Sequence, residues 1–327
     1  MKPTAPFHSD IIEDNAPLNS TLSNNIEDYP LGPNGRRPFS HNIEDYPKGI
    51  VLCVNKPYKW TSADVIRKVK WLACRHFGKK NLKVGHAGTL DPLATGVLLV
   101  CIGNATKRAE ELQRQDKEYI AGVSFGATTP SYDLEKDIDR TFATDAITEE
   151  GIIDSLKKFV GEQEQIAPLF SAKSVDGVRA YEIARKLYKK GEVLTDHTEL
   201  LDSHAAELIR TAHIRIDSLE LLSFDRNGNT RYAPPMTPDY SGMSEEEIQR
   251  AKDKDSRINV ADISNLHLPV AEIRIRCSKG TYIRALARDL GESLDNGAFM
   301  SYLTRTESGG HRIEDALSIS ELTSLFR

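Results

Sequence analysis

The chain acquires a regular pattern of apolar and polar positions from Gly49 onward. Ile50 to Val54 and Val97 to Ile102 are continuous apolar runs typical of buried strands, and Lys117 to Ala127 has the composition of a further strand. Ala271 to Cys277 alternates apolar and polar residues, as a half-buried strand does. The pattern predicts several strands that share at least one buried sheet.

Other segments carry apolar residues at helical spacing. Thr61 followed by Asp64 is a capping pair that predicts the start of a helix. Its apolar positions, Val65, Val69 and Leu72, fall on one face. Further helical segments are predicted at 105–115, 147–160, 179–190 and 282–294. Since these helices and strands do not follow one another in strict βαβ order, we expect an α+β fold with a mixed sheet.

Three polar segments depart from this pattern. Residues 1–48 are rich in Asn, Pro, Asp and Ser and contain a hexapeptide twice, at Asn25–Pro30 and at Asn42–Pro47. So little apolar content predicts a disordered extension, in which the repeat is a duplicated tether or a partner-binding motif. Residues 191–207 and 227–262 are too polar to pack, and we expect both to be surface insertions in a domain that spans 49–327.

Charge and composition limit the function classes. The chain has 43 Lys and Arg against 48 Asp and Glu, a net charge of −5, yet residues 49–190 hold 23 basic and 18 acidic residues, a balance that suits a polyanion. No apolar stretch is long enough to span a bilayer, and the four cysteines have no metal-ligand spacing. We expect a cytoplasmic protein without a zinc site or a disulfide framework.

The densest chemical feature is the segment Gly85-His86-Ala87-Gly88-Thr89-Leu90-Asp91-Pro92-Leu93-Ala94-Thr95-Gly96. Its glycines and proline require a specific loop that holds an imidazole, two hydroxyls and a carboxylate. The segment is neither a phosphate-binding loop nor a dinucleotide fingerprint. Taken alone, Asp91 before proline is typical of a helix cap, and His86 is typical of a turn.

The segment resembles the signature motif of the TruB family of tRNA pseudouridine synthases, and the resemblance continues along the chain. The other matching motifs are Lys56-Pro57 with Trp60-Thr61-Ser62, then Asp116–Tyr119, Pro168–Tyr181, Cys277–Arg284 and Tyr302–Thr306. They occur in the family's order. The resemblance implies a pseudouridine synthase fold: a mixed, mostly antiparallel sheet flanked by helices, with a central RNA-binding cleft.

The resemblance also implies a role for each matching residue. Asp91 would be the nucleophile that converts uridine 55 in the T-loop of tRNA to pseudouridine, and Arg284 would pair with it. Tyr119 would stack on the flipped base. The residues expected to bind the substrate are His86, Tyr282, Leu303 and Lys56, of which His86 would insert into the RNA loop and Lys56 would contact phosphates. The reaction is an isomerisation, so we expect no cofactor and no metal.

The sequence departs from the family pattern in two places. Gly126–Lys136 replaces a common turn, and the chain leaves no room for the C-terminal RNA-binding PUA domain of many relatives, so we expect none. The partner is expected to be the T-arm and T-loop of tRNA, no membrane is expected, and a monomer is the default expectation. Two alternatives remain at this point: a guide-RNA-dependent pseudouridine synthase and a non-catalytic tRNA-binding folding chaperone.

Overall fold

The computed structural model describes residues 39–168, 174–175, 178–179, 211–228, 243–255 and 258–326. The first copy of the repeat, the insertion at 191–207 and nearly all of the helix predicted at 179–190 lie outside the described residues.

The described elements, in chain order, are β1 (Ile50–Lys56), α1 (Ser62–His76), β2 (Val84–Ala87), β3 (Ala94–Ile102), α2 (Ala109–Arg114), β4 (Lys117–Phe125), β5 (Ala127–Thr128), β6 (Arg140–Thr141), α3 (Glu149–Lys158), β7 (Gly161–Ile166), β8 (Ser174–Val175), β9 (Val178–Arg179), β10 (Thr211–Asp225), α4 (Glu245–Asp255), β11 (Val270–Cys277), α5 (Ile283–Glu292), β12 (Ala298–Ser308), β13 (His311–Arg312) and α6 (Ile319–Leu325). Short 3-10 helices occupy Ile43–Asp45, Gly103–Arg108 and Ile313–Asp315.

One nine-stranded sheet organises the described part of the chain. Seven strands run in the order β1-β3-β12-β4-β11-β10-β7, while β2 pairs with β3 and β13 pairs with β12. The β3–β12 contact is parallel, and the other strand pairs of this sheet are antiparallel. The predicted α+β class with a mixed, mostly antiparallel sheet is confirmed.

The sheet buries apolar residues in the positions that the sequence pattern predicts. All nine residues of β3 are buried. In β11, Ile273, Ile275 and Cys277 are buried while the residues between them are more exposed. They join the inward face of α5, namely Ile283, Leu286, Ala287 and Leu290, in one apolar core. A second core lies where α1 and α6 pack against β1 and β3.

Helix α1 begins as its sequence predicts. The Thr61 side chain accepts a hydrogen bond from the Asp64 amide at 3.1 Å, and the Asp64 carboxylate accepts one from the Thr61 amide at 3.0 Å. This reciprocal pair satisfies two amides that have no partner within the helix. The predicted apolar face is buried in the second core. The helix start and its orientation are therefore both encoded locally.

The segment 39–48 is ordered, so the prediction that the extension is disordered up to residue 48 is wrong for its last ten residues. Phe39 is only 6% exposed and packs against Phe77 and Phe326, with ring centroids at 6.4 and 5.1 Å. The Ser40 amide also donates to the Tyr46 hydroxyl at 2.9 Å. Aromatic packing therefore helps to hold this segment, although its average composition is polar.

The polar segment at 227–262 also contains regular structure, so its interpretation as a loop is wrong for residues 243–255. These residues include α4, whose Glu247 pairs with Lys68 of α1 at 3.0 Å. The start of α4 carries a signal that the sequence analysis missed: the Ser244 amide donates to Glu247 at 3.0 Å, and the Glu247 amide donates to the Ser244 hydroxyl at 3.3 Å. This spacing of Ser and Glu is a capping box.

Each of the described helices is too short or too polar to pass through a bilayer.

Replacement of Phe39 by Ala should lower the free energy of unfolding by about 3 kcal/mol, because it leaves a cavity among aromatic rings. Urea unfolding measures the change. Glu44→Ala is the control, since it removes only an exposed partner of Lys79 and should cost less than about 1 kcal/mol. Equal effects of the two substitutions would show that segment 39–48 adds no packing energy.

Candidate active site

The loop between β2 and β3 carries Asp91 and is held from two sides. The Ser62 hydroxyl, at the start of α1, accepts a hydrogen bond from the Leu90 amide at 2.9 Å and donates one to the Leu90 carbonyl at 3.2 Å. The Ala94 amide donates to the Asp91 carbonyl at 3.1 Å, which closes a turn that leads into β3. Asp91 therefore caps no helix, and its carboxylate is available for chemistry.

Two glycines of the loop segment are required by their positions. Gly88 and Gly96 have φ angles of +98° and +97°, which disfavour any residue with a Cβ atom. A Cβ atom on Gly96 would also lie 2.2 Å from the Arg305 carbonyl oxygen on the parallel strand β12. Gly96 thus permits the close approach of β3 and β12.

Asp91 and Arg284 form the central ion pair. The Arg284 Nε lies 3.0 Å from Asp91 Oδ2. The Arg284 side chain is 5% exposed, whereas the Asp91 side chain is 37% exposed. The guanidinium is therefore the buried member of the pair, and the carboxylate is the member that a ligand can reach.

A second carboxylate supports the buried guanidinium. Asp133 Oδ2 lies 3.6 Å from Arg284 Nε, and the Asp133 side chain is 2% exposed. The Ser131 carbonyl accepts a hydrogen bond from Arg284 Nη1 at 3.0 Å, and the Ser131 hydroxyl donates to Asp133 Oδ1 at 2.6 Å. Arg284 is thus held by two carboxylates and a backbone carbonyl.

The electrostatics of this cluster follow from burial and from its charges. Burial alone would lower the pKa of Arg284, but the negative charges of Asp91, Asp133 and Glu135 raise it above the ordinary value. Burial raises the pKa of Asp133, and Arg284 opposes that shift. Burial, with the nearby Asp133 charge, raises the pKa of Glu135 to about 7. Glu135 therefore titrates near neutral pH beside the central ion pair.

Asp133 and Glu135 were not among the predicted site residues. Both lie in Gly126–Lys136, the segment that departs from the family pattern. The signal that could have identified them is that Ser131, Asp133 and Glu135 alternate with the buried residues Tyr132 and Leu134. A carboxylate that is buried in such a segment requires a partner. The segment thus contributes to the site despite its unusual sequence.

The ion pair lies in a cavity of about 410 Å³, within the usual size range of small-molecule pockets. Five of the seven predicted site residues line it: Asp91, Tyr119, Tyr282, Arg284 and Leu303. Lining residues that were not predicted include Lys117, Gln113, Ser278 and Arg305. The structure therefore brings residues from four separate sequence segments to one pocket.

Tyr119 and Arg305 face one another across β4 and β12. Arg305 is buried, and it donates to the Val97 carbonyl at 2.6 Å and to the Gly88 carbonyl at 3.2 Å. Burial raises the pKa of the Tyr119 hydroxyl, although the Arg305 charge opposes the shift. Tyr119 is therefore a neutral aromatic wall near physiological pH.

Tyr282 and Lys117 are fixed by backbone-directed contacts. The Gln165 side chain accepts from the Tyr282 amide at 2.8 Å and donates to the Tyr282 carbonyl at 3.1 Å. Lys117 donates to the carbonyls of Gln113 and Gln115. Burial, followed by the Arg305 charge, lowers the pKa of Lys117 to about 8. A substrate therefore meets a pocket whose walls are already in position.

The structure does not support the predicted contact between Lys56 and phosphates. The Lys56 side chain is 0% exposed, and its ammonium group donates to the carbonyls of Pro57 at 2.9 Å, Trp60, and Pro92 at 3.3 Å. Because Pro92 follows Asp91, Lys56 fastens the turn that carries the carboxylate. The prediction is wrong because sequence alone does not distinguish an exposed cation from a buried one that binds carbonyl groups.

His86 lies in β2, before the loop, and it does not line the cavity. Burial lowers the pKa of His86, and the nearby Arg305 charge lowers it further. Its Nδ1 atom is buried and has no hydrogen-bond partner among the described residues. A neutral imidazole beside the pocket loop can contact an RNA chain, but it is not placed to act as an acid or base in the cavity.

Across residues 39–168, 211–228, 243–255 and 258–326, no cluster of three or more His, Cys, Asp or Glu could hold a metal ion.

Comparisons with known proteins show the family to which this sequence is similar. Residues 75–231 match the family model described as TruB family pseudouridylate synthase (N terminal domain). A protein from Phocaeicola vulgatus called tRNA pseudouridine synthase B is 44% identical over 272 residues, which cover 83% of this chain and 91% of that protein. A protein of the same name from Flavobacterium johnsoniae is 38% identical over 274 residues, which cover 84% of this chain and 94% of that protein.

A solved structure shares the fold. A chain in the crystal structure of a Cbf5-Nop10-Gar1 complex matches with a TM-score of 0.50 and 23% identity. The match covers 91% of this chain and 59% of that one.

Replacement of Lys56 by Met should lower the free energy of unfolding by about 3 kcal/mol, because it leaves buried carbonyl groups without a donor. Thermal unfolding measures this effect. The dependence of tRNA affinity on salt should not change, since no phosphate contact is lost. A weaker salt dependence with unchanged stability would instead support the phosphate contact predicted from sequence.

Replacement of Glu135 by Gln should stabilise the protein more at pH 8 than at pH 5. The folded-state pKa of about 7 lies above the ordinary value of 4.5, so this carboxyl lowers stability as pH rises from about 4.5 through 7. Gln removes that loss. Urea unfolding at pH 5 and pH 8 measures the change in the free energy of unfolding. Glu150→Gln is the control, since Glu150 is exposed. An equal effect of Glu135→Gln at both pH values would contradict the prediction.

Proposed function

The chain belongs to the TruB family of pseudouridylate synthases, and from this membership we propose that it isomerises uridine to pseudouridine at position 55 in the T-loop of tRNA. The observation that carries the proposal is the pairing of a reachable Asp91 with a buried Arg284 in a cavity of nucleotide size. The catalytic domain is proposed to span residues 49–327, with the ordered segment 39–48 packed against it, and tRNA is its partner in the cytoplasm.

The chemistry requires a carboxylate and no external reagent. The bond from the ribose C1′ to uracil N1 breaks, a bond from C1′ to C5 forms, and the C5 proton leaves while N1 gains one. Atoms and charge balance within the substrate. Asp91 would attack the nucleotide or stabilise the cationic sugar, as carboxylates do in glycoside chemistry. The lone pair of an ionised carboxylate is needed in either case.

Arg284 supports this role by electrostatics. The Arg284 guanidinium lies 3.0 Å from the Asp91 carboxylate, and a charge-assisted interaction of this kind strengthens when water is excluded. Asp133 offsets the cost of burying Arg284 and fixes its orientation. Arg284 acts directly on Asp91, whereas Asp133 is a positioning residue.

The target base must leave the RNA stack to reach the cavity. Tyr119 offers an aromatic face on which a base can stack, an interaction of about 1–3 kcal/mol. Tyr282 and Leu303 form further walls. His86 is proposed to contact the RNA loop from which the base is extruded. Since its pKa is lowered, this contact does not depend on a charged imidazole.

Replacement of Asp91 by Asn should reduce product formation by roughly a thousandfold or more, because it removes the nucleophile. Tritium release from tRNA labelled at uridine C5 measures turnover, and filter binding measures affinity, which should be retained. Asp137→Asn is the matched control, since its exposed carboxylate lies outside the pocket.

The result separates the competing functions. Release by the wild type that disappears when uridine 55 is replaced would support the proposed site. Turnover by Asp91→Asn would exclude Asp91 as the nucleophile. Tight tRNA binding without release by the wild type would indicate a folding chaperone or a requirement for a guide RNA.

A further inference from the structure

A positively charged surface lies outside the pocket, on α1 and the turn that follows it. Its members are Arg67, Lys70, Trp71, Arg75, Lys79 and Lys80, and together with Cys74 and Gly78 they line one shallow groove. The first four occur at intervals of three, one and four residues, so they share one side of the helix. We call this set the α1 surface. The proposed function gives it no role.

The charge of this region is strongly biased. Residues 61–83 contain seven Lys and Arg and one acidic residue, Asp64, in a chain whose net charge is −5. Asp64 is buried in the capping pair of α1 and leaves little negative charge at the surface. A solvated helix face usually mixes both signs of charge, so this bias indicates a polyanionic partner.

Part of the charge is already compensated within the protein. Lys79 pairs with Glu44 at 3.3 Å, and Arg67 pairs with Asp64. Among the residues that the structure describes, no carboxylate lies within ion-pair distance of Lys70, Arg75 or Lys80. These three cations are therefore the available charges of the α1 surface.

An exposed aromatic ring lies among the cations. Trp71 is 53% exposed, whereas Trp60, the other tryptophan of the chain, is buried. Lys68 Nζ and Arg75 Cζ lie 5.5 and 5.6 Å from the Trp71 ring centre. A large ring exposed to this degree loses the benefit of burial and is available for stacking. Cations interleaved with an aromatic side chain are typical of nucleic-acid surfaces.

Helix α1 links the α1 surface to the pocket. Ser62, the first residue of α1, holds both backbone groups of Leu90, which precedes the proposed nucleophile. At 1.5 Å per residue, Arg75 lies about 20 Å along the helix axis from Ser62. A folded RNA substrate is large enough to reach both the pocket and this surface at once.

We propose that the α1 surface is a second RNA-binding site, which holds the sugar-phosphate backbone of the tRNA while the target nucleotide occupies the pocket. Lys70, Arg75 and Lys80 contact phosphates, and Trp71 stacks on an unpaired base. The inference rests on the proposed function, because both require tRNA as the ligand. Backbone contacts are independent of sequence, so the site would serve tRNAs that share a shape.

The test removes the three available charges together, as Lys70→Gln, Arg75→Gln and Lys80→Gln. The dissociation constant for unmodified tRNA should rise about tenfold to a hundredfold at moderate salt, and the slope of log affinity against log salt should fall by about 2. Filter binding over a series of salt concentrations measures both. All three side chains are exposed, so the urea unfolding midpoint should not change, which shows that the variant is folded.

A matched control removes the same number of positive charges elsewhere. Arg140→Gln, Lys157→Gln and Lys158→Gln change exposed residues on β6 and α3. This variant should retain nearly the wild-type affinity and slope. An equal loss of affinity in both triple variants would overturn the proposal, because net charge alone would then explain the effect. An unchanged affinity and slope in the α1 variant would overturn it directly.

Trp71 provides a separate readout. Saturation with tRNA should quench the tryptophan emission of the wild type, and Trp71→Phe should lose most of that change while it keeps a ring for stacking. Emission from Trp71 that does not respond to bound tRNA would exclude the stacking contact. Pseudouridine formation by the wild type is measured on the same preparation. If the wild type forms no pseudouridine, the proposed function is refuted. If the wild type forms pseudouridine and the α1 triple variant binds tRNA with unchanged affinity and slope, only this inference is refuted.

Discussion

The buried guanidinium of Arg284 is the constraint on which the site depends. A cation with 5% exposure has lost most of its hydration, and that loss must be compensated by nearby negative groups. Asp91, Asp133 and the Ser131 carbonyl supply them from two separate segments of the chain. Three parts of the chain therefore meet at one charge: helix α5, the loop after β2 and the segment that follows β5. The site is assembled only when the whole domain folds.

Rigid elements hold this assembly in place. Strand β3 is fully buried, and its Gly96 allows β12 to approach closely enough for Arg305 to reach the carbonyls of Val97 and Gly88. Lys56 and Ser62 fasten the other side of the loop. In these contacts, buried charged or polar side chains bind backbone groups of the loop. Burial of such side chains costs free energy, so the arrangement is stable only when every hydrogen-bond partner is present. Such a frame restricts the motion of the Asp91 carboxylate before a substrate arrives.

Sequence reasoning succeeded where local rules decide the structure. The capping pair of α1, the alternation in β11 and the apolar stripe of α5 depend on neighbours within a few residues, and all three were predicted correctly. It failed where a distant contact decides. Lys56 looks like a surface cation until the carbonyls around it are known, and Asp133 has no evident partner until Arg284, 151 positions away, is brought beside it. Phe39 stays ordered for the same reason.

The contact between Phe39 and Phe326 joins residues 287 positions apart in sequence, near the two limits of the described structure. Residues 39–48 lie outside the sheet and are held by side-chain contacts such as this one, so the junction opens at a lower free-energy cost than the paired strands. Local opening there releases residues 39–48 without disturbing β3, β12 or the central ion pair. The domain can therefore fray at this aromatic junction while its reaction centre remains folded.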